Sequence, residues 1–280
     1  MGTLLARLDG VTVQRGSRTV LHDITLDLRV GTVTVVVGPS GAGKSTLLAV
    51  LAGQILPASG TVAVSPDVRI GLVNQEPQLF PWLTVAENVT LGLRYAANAN
   101  ATARAGWGGL GADGLMERLG LTSLRGAYPD QISGGQAQRA GLARTLAVDP
   151  ELVLLDEPFS ALDPVTREDL QRWYFHHSRT AGRTTVVVTH DVDEALVLAD
   201  QIVLVGSAGR IVRRWETTAA DTYAAARHHP LRAEIRAAFD DVDADASLDV
   251  ATSVEAGQRA GLASRTDLLA VGTRGGGLGD

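Results

Sequence analysis

Residues 32–52 read TVTVVVGPSGAGKSTLLAVLA, and three kinds of chain lie end to end in them. Thr32 to Val37 is a short β-branched run of buried-strand length. Gly38 to Ser45, GPSGAGKS, follows at once and fits the spacing GxxxxGK(S/T) of a phosphate-binding loop. Ser45 to Ala52 then carries apolar residues at helical density. Strand, glycine-rich turn and helix are the context in which that spacing has a mechanism. Gly38, Pro39, Ser40, Gly41, Ala42 and Gly43 let backbone N–H groups close around phosphates, and Lys44 places a charge on the β and γ phosphates. The Ser45 hydroxyl is a Mg²⁺ ligand, and Thr46 completes the binding stretch. By itself the loop implies a nucleoside triphosphate and no particular reaction.

The same order recurs twice. Leu152 to Leu155 runs into Asp156 and Glu157, and Thr184 to Val188 runs into Thr189, His190 and Asp191, with helix-like segments after both. In open α/β sheets ligands sit at the carboxyl ends of the strands, so three distant segments are expected to deliver chemistry to one crevice. A carboxylate closing a hydrophobic strand, here Asp156, can hold the Mg²⁺ that bridges β and γ oxygens, and its neighbour Glu157 would point toward the attacking water. Between these pieces, from about 79 to 147, helical patterning replaces strand signals and reads as an inserted helical subdomain. Within it Tyr95 to Gly114 holds 12 Ala and Gly in 20 residues, with Trp107 as its large apolar anchor, and reads as a mobile surface loop. Arg232 to Phe239 has the spacing of one amphipathic helix, and Asp240 to Asp249 holds five aspartates and no base. A helical extension over 216–240 and a disordered acidic tail over 241–280 are therefore expected.

Composition sets outer limits. The chain has 280 residues, 45% hydrophobic and 20% charged, enough apolar material for a sizeable core. A net charge of -6 gives no electrostatic footprint for a nucleic-acid backbone, and no nucleic-acid partner is expected. The absence of cysteine excludes disulfides and thiolate metal sites. No stretch approaches the roughly 18 uninterrupted apolar residues of a membrane span, and the start, with Arg7 and Asp9, does not read as a secretory signal.

One further motif narrows the class. Ile132 to Gln136, ISGGQ, stands shortly before Asp156. Ser133 is placed to cap a helix, and Gly134, Gly135 and Gln136 open it, an arrangement that exposes N–H groups to an anion. This resembles the signature of the ABC (ATP-binding cassette) family, with Ile132 in place of the usual leucine. The resemblance covers roughly residues 1–215 and implies a P-loop NTPase cassette: a RecA-like α/β core sheet with an N-terminal antiparallel β part and the inserted helical subdomain. It implies ATP and Mg²⁺, with Gln75 touching metal or water and coupling to a membrane partner. It also implies that Ser160 to Asp163 (SALD) crosses a dimer interface and that His190 contacts the γ-phosphate. The signature would meet ATP held by a second copy of the chain.

Phe80 to Val89 (FPWLTVAENV), Tyr128 to Gly135 (YPDQISGG), Gln136 to Arg139 (QAQR) and Asp156 to Arg167 (DEPFSALDPVTR) are similar to importer cassettes, within them to the nitrate, sulfonate and taurine group. His229 to Ala238 (HPLRAEIRAA) is similar to that group's short C-terminal helix. The resemblance implies a transmembrane permease as partner, a solute-binding protein acting indirectly, and a place on the cytoplasmic face of the cell membrane. A soluble ABC ATPase uncoupled from transport and a non-hydrolysing, nucleotide-gated dimerisation module are the alternatives. For Trp82, beside Phe80 and Pro81, a docking surface and packing into the helical subdomain both remain open. Arg15 stands where the family commonly places an aromatic residue against adenine. Its guanidinium can lie on the base or point into solvent.

Overall fold

The protein is described here from a computed structural model covering residues 3–95, 107–220 and 222–244. Two long strands, β1 (Leu4–Arg15) and β2 (Arg18–Arg29), pair antiparallel across a turn in which Gly16 has φ +60°. The next elements are β3 (Val33–Val37), α1 (Lys44–Leu51), β4 (Ser59–Val64) and β5 (Ile70–Val73). Strands β2, β1 and β4 form one antiparallel sheet. After β5 the chain leaves through α2 (Val85–Thr90), α3 (Ala112–Arg118) and α4 (Gly134–Ala147), then returns as β6 (Leu152–Asp156). Because β5 and β6 are parallel neighbours, Ile70 opposite Leu152, the helical segment is an insertion between adjacent strands.

The chain continues through α5 (Pro164–Thr180), β7 (Thr184–Val188), α6 (Val192–Leu198), β8 (Gln201–Val205), β9 (Ile211–Glu216) and α7 (Tyr223–Ala226). A last helix, α8, spans 232–244. The second sheet has the order β5-β6-β7-β3-β8-β9, parallel except for β9.

Every residue of β3, β6 and β7 is buried, the mark of strands covered on both faces. Alternation decides which core each side chain enters. Val33, Val35, Val37, Val153 and Leu155 join the core under α4, α5 and α6, while Val36, Leu152 and Leu154 join the one shared with α1 and the antiparallel sheet. Register then aligns the strand ends. Val36 lies opposite Val188, Asp156 opposite Val188, and Val73 opposite Leu155. The segments that follow β3, β5, β6 and β7 therefore leave the sheet along one rim.

Two expectations change, and one of the alternatives left open for Trp82 falls away. Residues 107–114 do not form a surface loop: Trp107 is 1% exposed, its ring stacks on Tyr174 at 5.1 Å and 15°, and α3 begins at Ala112. Tyr174, on α5, is far away in sequence, so alanine and glycine content gave no warning of the contact. The part of the loop over 96–106 lies outside the described residues. Trp82 is 69% exposed and meets Phe80 at 5.4 Å, so it does not pack into the helical subdomain. At the other end, α8 continues to 244, past the expected boundary at 240. Ile235 and Val242 are buried on its inner face, with Leu231, Ala238 and Phe239 packed beside them. The expected tail beyond 244 lies outside the described residues.

Among the described residues the buried indole N–H of Trp107 finds no hydrogen-bond partner. Trp107→Ala should lower stability by about 3–5 kcal/mol, as for other large-to-small aromatic changes. Trp107→Phe, which keeps a ring on Tyr174 and removes an unpaired donor, should cost much less. Urea denaturation of the three proteins measures both.

Candidate functional site

The loop after β3 is shaped by where side chains cannot go. Gly38 has φ +157°, and a Cβ there would stand 2.2 Å from the carbonyl oxygen of Val205. Gly43 has φ +93°, and a Cβ would meet Leu21 Cδ2 at 2.7 Å and the Val20 carbonyl at 2.8 Å. Only glycine lets the loop pass between β8 and β2 and turn into α1. Lys44, the first residue of that helix, is buried and donates from Nζ to the carbonyls of Gly38 and Pro39, both at 2.8 Å. Burial pulls its pKa below the ordinary lysine value, and the Glu157 and Asp156 carboxylates oppose that shift.

Asp156, buried at the end of β6, is hydrogen-bonded to the side chain of Ser45. Burial pushes its carboxyl above the ordinary aspartate range, the Ser45 hydroxyl pulls it back, Glu157 adds to the rise, and Lys44 opposes it. Ser45 and Asp156 thus come together, with Lys44 beside them, and Thr46 is buried behind the loop. Hard oxygens from one hydroxyl and one carboxylate suit Mg²⁺, which ordinarily takes few protein ligands and completes its shell from phosphates and water. Among the described residues no group of three or more His, Asp or Glu offers a full cage.

Glu157 has φ +46°, a left-handed conformation uncommon outside glycine. The turn is held: its N–H donates to Val188, and its carbonyl accepts from the Ser160 N–H at 3.2 Å and the Ser160 hydroxyl at 2.9 Å. The side chain is aimed along the rim. One carboxylate oxygen accepts from Gln75 Nε2 at 3.4 Å, and the other lies 3.3 Å from Nδ1 of His190. Residues following β5, β6 and β7 therefore meet at one carboxylate, beside Lys44 of the loop that follows β3.

The signature is built as a helix start. Ser133 accepts from the Gln136 N–H, and the Gln136 side chain accepts from the Ser133 N–H at 2.8 Å, a reciprocal capping box. Gly134 and Ser133 are exposed, and a Cβ on Gly135 would stand 3.0 Å from the Ala161 carbonyl. The signature and the 160–163 segment are thus neighbours. Asp163 caps α5 by accepting from the Thr166 N–H at 3.1 Å, and hydrogen bonds to Thr166 hold its carboxyl below the ordinary range. Ser133 and Gln136 spend their side chains on each other, while Glu157 contacts both Gln75 and His190. Arg15 ends β1 at the exposed hairpin tip, opposite Arg18, close in sequence to the Val20 and Leu21 atoms that face Gly43.

Several positioning residues escaped the reading of motifs. Arg167, on α5, donates to the carbonyls of Phe159 at 3.1 Å and Leu162 at 2.9 Å and so pins the segment after Glu157. Arg144, on α4, donates to the carbonyls of Pro77 at 3.0 Å and Gln78 at 2.9 Å, fixing the segment after Gln75. Thr189 and Glu194 form a buried hydrogen bond beneath His190. Arg167 lay within a quoted motif and Thr189 within the polar cluster after Val188, but a backbone-directed arginine and a threonine that pairs with a residue of the next helix carry no spacing signature.

A family model described as "ABC transporter" matches residues 21–160. The Aliphatic sulfonates import ATP-binding protein SsuB 1 of Agrobacterium fabrum is 43% identical over 201 residues, 72% of this chain and 70% of that protein. The Taurine import ATP-binding protein TauB of Pseudomonas aeruginosa is 44% identical over 222 residues, 76% of this chain and 82% of that protein. Among solved structures, a dimeric ATP-binding cassette in a post-hydrolysis state, bound to ADP and Pi, matches with a TM-score of 0.66 and 28% identity, covering 76% of this chain and 99% of that one. With relatives this similar spanned over more than two thirds of their length, and with the phosphate loop, signature and strand-end residues standing in one cassette fold, the chain belongs to the ABC transporter family as an ATP-binding cassette.

Proposed function

We propose that this chain is the ATP-hydrolysing subunit of an importer, taking up a sulfonate, taurine, nitrate or related small compound through a membrane permease. The observation that carries the reading is the convergence of Gln75, Glu157 and His190 at one carboxylate beside the Lys44 loop. The importer assignment rests on the relatives' names, sulfonate and taurine on their two solutes, and nitrate on the sequence resemblance alone.

The parts divide by chemistry. Backbone N–H groups of 38–45 and the Lys44 ammonium bind and orient the triphosphate; Ser45 and Asp156, with Gln75 at the edge, would hold Mg²⁺. That ion, when bound, would supply charge neutralisation for the triphosphate. Glu157 accepts a hydrogen bond from the attacking water and takes its proton, and His190 donates toward the γ-phosphate while holding Glu157 in line. Positioning and charge are most of what phosphoryl transfer asks of a protein.

The exposed Ser133–Gln136 helix start and Asp163 face a second copy of the chain, each signature completing the other copy's ATP site. The dimeric relative supports this arrangement. Among the described residues no helix is long and apolar enough to cross a membrane, so attachment to the cytoplasmic face would run through the permease. Its docking site is the side of the insertion near Gln75. There Phe80 is 38% exposed beside Trp82, and a groove of about 390 Å³ is lined by Phe80, Tyr95, Leu91 and Arg144. A solute-binding protein would act on the far side of the permease.

Glu157→Gln should keep ATP affinity, accumulate an ATP-bound dimer on light scattering, and lose hydrolysis by about 100-fold or more, the scale of a general base. Lys44→Ala is the contrast, losing affinity itself; a Glu157→Gln protein turning over at the wild-type rate would remove Glu157 from the mechanism. Phe80→Asp should release the chain from permease-containing membranes in a sedimentation assay while leaving its ATP binding intact.

Arg15 is assigned to the adenine face. Arg15→Ala should weaken ATP binding by about 0.5–2 kcal/mol, the span of a cation over a ring, and Arg15→Tyr should restore it. Titration calorimetry with ATP and GTP reads the effect, and an alanine variant matching wild type would leave the arginine in solvent.

A further inference from the structure

His190 is exposed on its loop, and its contact with Glu157 is only as good as the placement of that loop. What holds the loop lies beneath it. The hydroxyl of Thr189, immediately before His190, donates to Oε2 of Glu194 and accepts from the N–H of Asp191 at 3.1 Å, so one side chain ties the backbone on both sides of the histidine. The other oxygen of Glu194 accepts from Gln171 Nε2 at 2.5 Å. Gln171, on α5 and 1% exposed, in turn accepts at Oε1 from the Tyr223 hydroxyl at 2.9 Å. Tyr223 opens α7, beyond the last strand of the sheet.

We propose that Tyr223 is a positioning residue for His190, acting through the buried chain Gln171, Glu194 and Thr189. The proposal rests on the assignment of His190 to the hydrolytic site.

The direction of the bonds is what makes the tyrosine informative. An amide has an accepting end and a donating end, and Gln171 can serve Glu194 only with its NH₂ toward the carboxylate. The Tyr223 hydroxyl, by donating to the amide oxygen, settles that orientation. Burial raises the phenol's pKa well above its ordinary value, so the hydroxyl keeps its proton at neutral pH. Without it the buried amide oxygen of Gln171 loses its donor, and the amide is no longer held square to Glu194. Burial already pushes the Glu194 carboxyl above the ordinary range, and the Thr189 hydroxyl is the main group opposing this. Loss of the Gln171 donor would load that remaining bond, which is the one that sets the His190 loop.

The segment is anchored to α6 elsewhere as well. The N–H of Ala220 donates to the Leu196 carbonyl at 2.8 Å, and Arg232 of α8 grips Asp193 with two bonds of 2.6 and 2.9 Å. A small cavity of about 110 Å³ lined by Glu157, Ser160, Arg167, Thr189, His190 and Glu194 lies beside the end of the chain of bonds, so the coupling of Glu194 to His190 runs through the Thr189 hydrogen bonds rather than through packing.

Tyr223→Phe in the full chain removes only the hydroxyl. Three readouts are expected. The imidazole NMR signals of His190, assigned by their loss in His190→Ala, shift, while those of His22 on the antiparallel sheet stay in place. The kcat for ATP falls by about two- to tenfold, the span of one hydrogen bond, at unchanged KM. In the His190→Ala background the second substitution has no further effect on rate. Unchanged His190 signals would overturn the proposal, as would an equal loss of rate in both backgrounds accompanied by a lower Tm. Failure of the hydrolytic reading itself would show separately, as wild-type turnover in Glu157→Gln, and the NMR result stands without any assay of ATP.

Discussion

Val36, Val188 and Asp156 lie abreast in three parallel strands, and the site depends on that alignment. Strands buried on both faces cannot carry charged side chains along their length without stranding them, so the charged residues are driven to the strand ends. Register then decides whether those ends meet. A slip of one residue would move a strand end by about 3.3 Å and turn every side chain to the opposite core. The contacts of Glu157 with Gln75 and His190 are 3.4 and 3.3 Å long, so neither would survive it. The valine-rich strands hold the register because each side of the sheet has its own apolar core, and misplacing one strand would empty both.

At the rim the chain accepts local costs. Glu157 holds a left-handed backbone, unfavourable for a residue with a Cβ by about 1–2 kcal/mol, and Lys44 and Asp156 are both buried enough that desolvation dominates their ionisation. Each cost has a visible counterweight. Ser160 closes the Glu157 turn with two hydrogen bonds, and Lys44 and the two carboxylates offset one another's burial. Opposite charges buried side by side with shifted ionisation are a common mark of a functional site.

The β-branched runs at 33–37 and 184–188, the glycine spacing after the first, and the acidic pair after Leu155 were legible because each feature is local: strand, turn and rim residue stand side by side in the chain. The capping box at Ser133 and Gln136 was half legible, since Ser133 announces a helix start but nothing in ISGGQ says which neighbour faces Gly135. Trp107 was misread for the opposite reason. Its surroundings in sequence are small and loop-like, whereas its partner Tyr174 is supplied by α5 from another part of the chain. The acidic stretch after Asp240 looked too polar to order, yet Ile235 and Val242 fall on the same face of α8, and their burial carries the first aspartates into the helix. Arg144, Arg167 and the Thr189–Glu194–Gln171 set could not be seen as a system, because each acts on backbone or on a side chain brought near only by the fold.

Those supporting bonds also show where the site is divided. Arg167 binds the segment after Glu157 to α5, and Thr189 binds the His190 loop to α6 through Glu194, so both sides of that contact are tied to helices of the main sheet. Gln75 is different. The segment that follows it is gripped by Arg144 of α4, and Pro77 packs against Gly141 of the same helix, so its neighbours belong to the inserted unit. The Gln75–Glu157 bond thus joins a segment held by the insertion to the carboxylate at the rim of the main sheet, and at 3.4 Å it is near the weak limit of a hydrogen bond. The exposed Phe80 ring stands on the insertion as well, 6.0 Å from the Arg144 guanidinium. Arg144 thus touches both the exposed Phe80 ring and the carbonyls after Gln75, which ties an exposed face of the insertion to the segment that reaches Glu157.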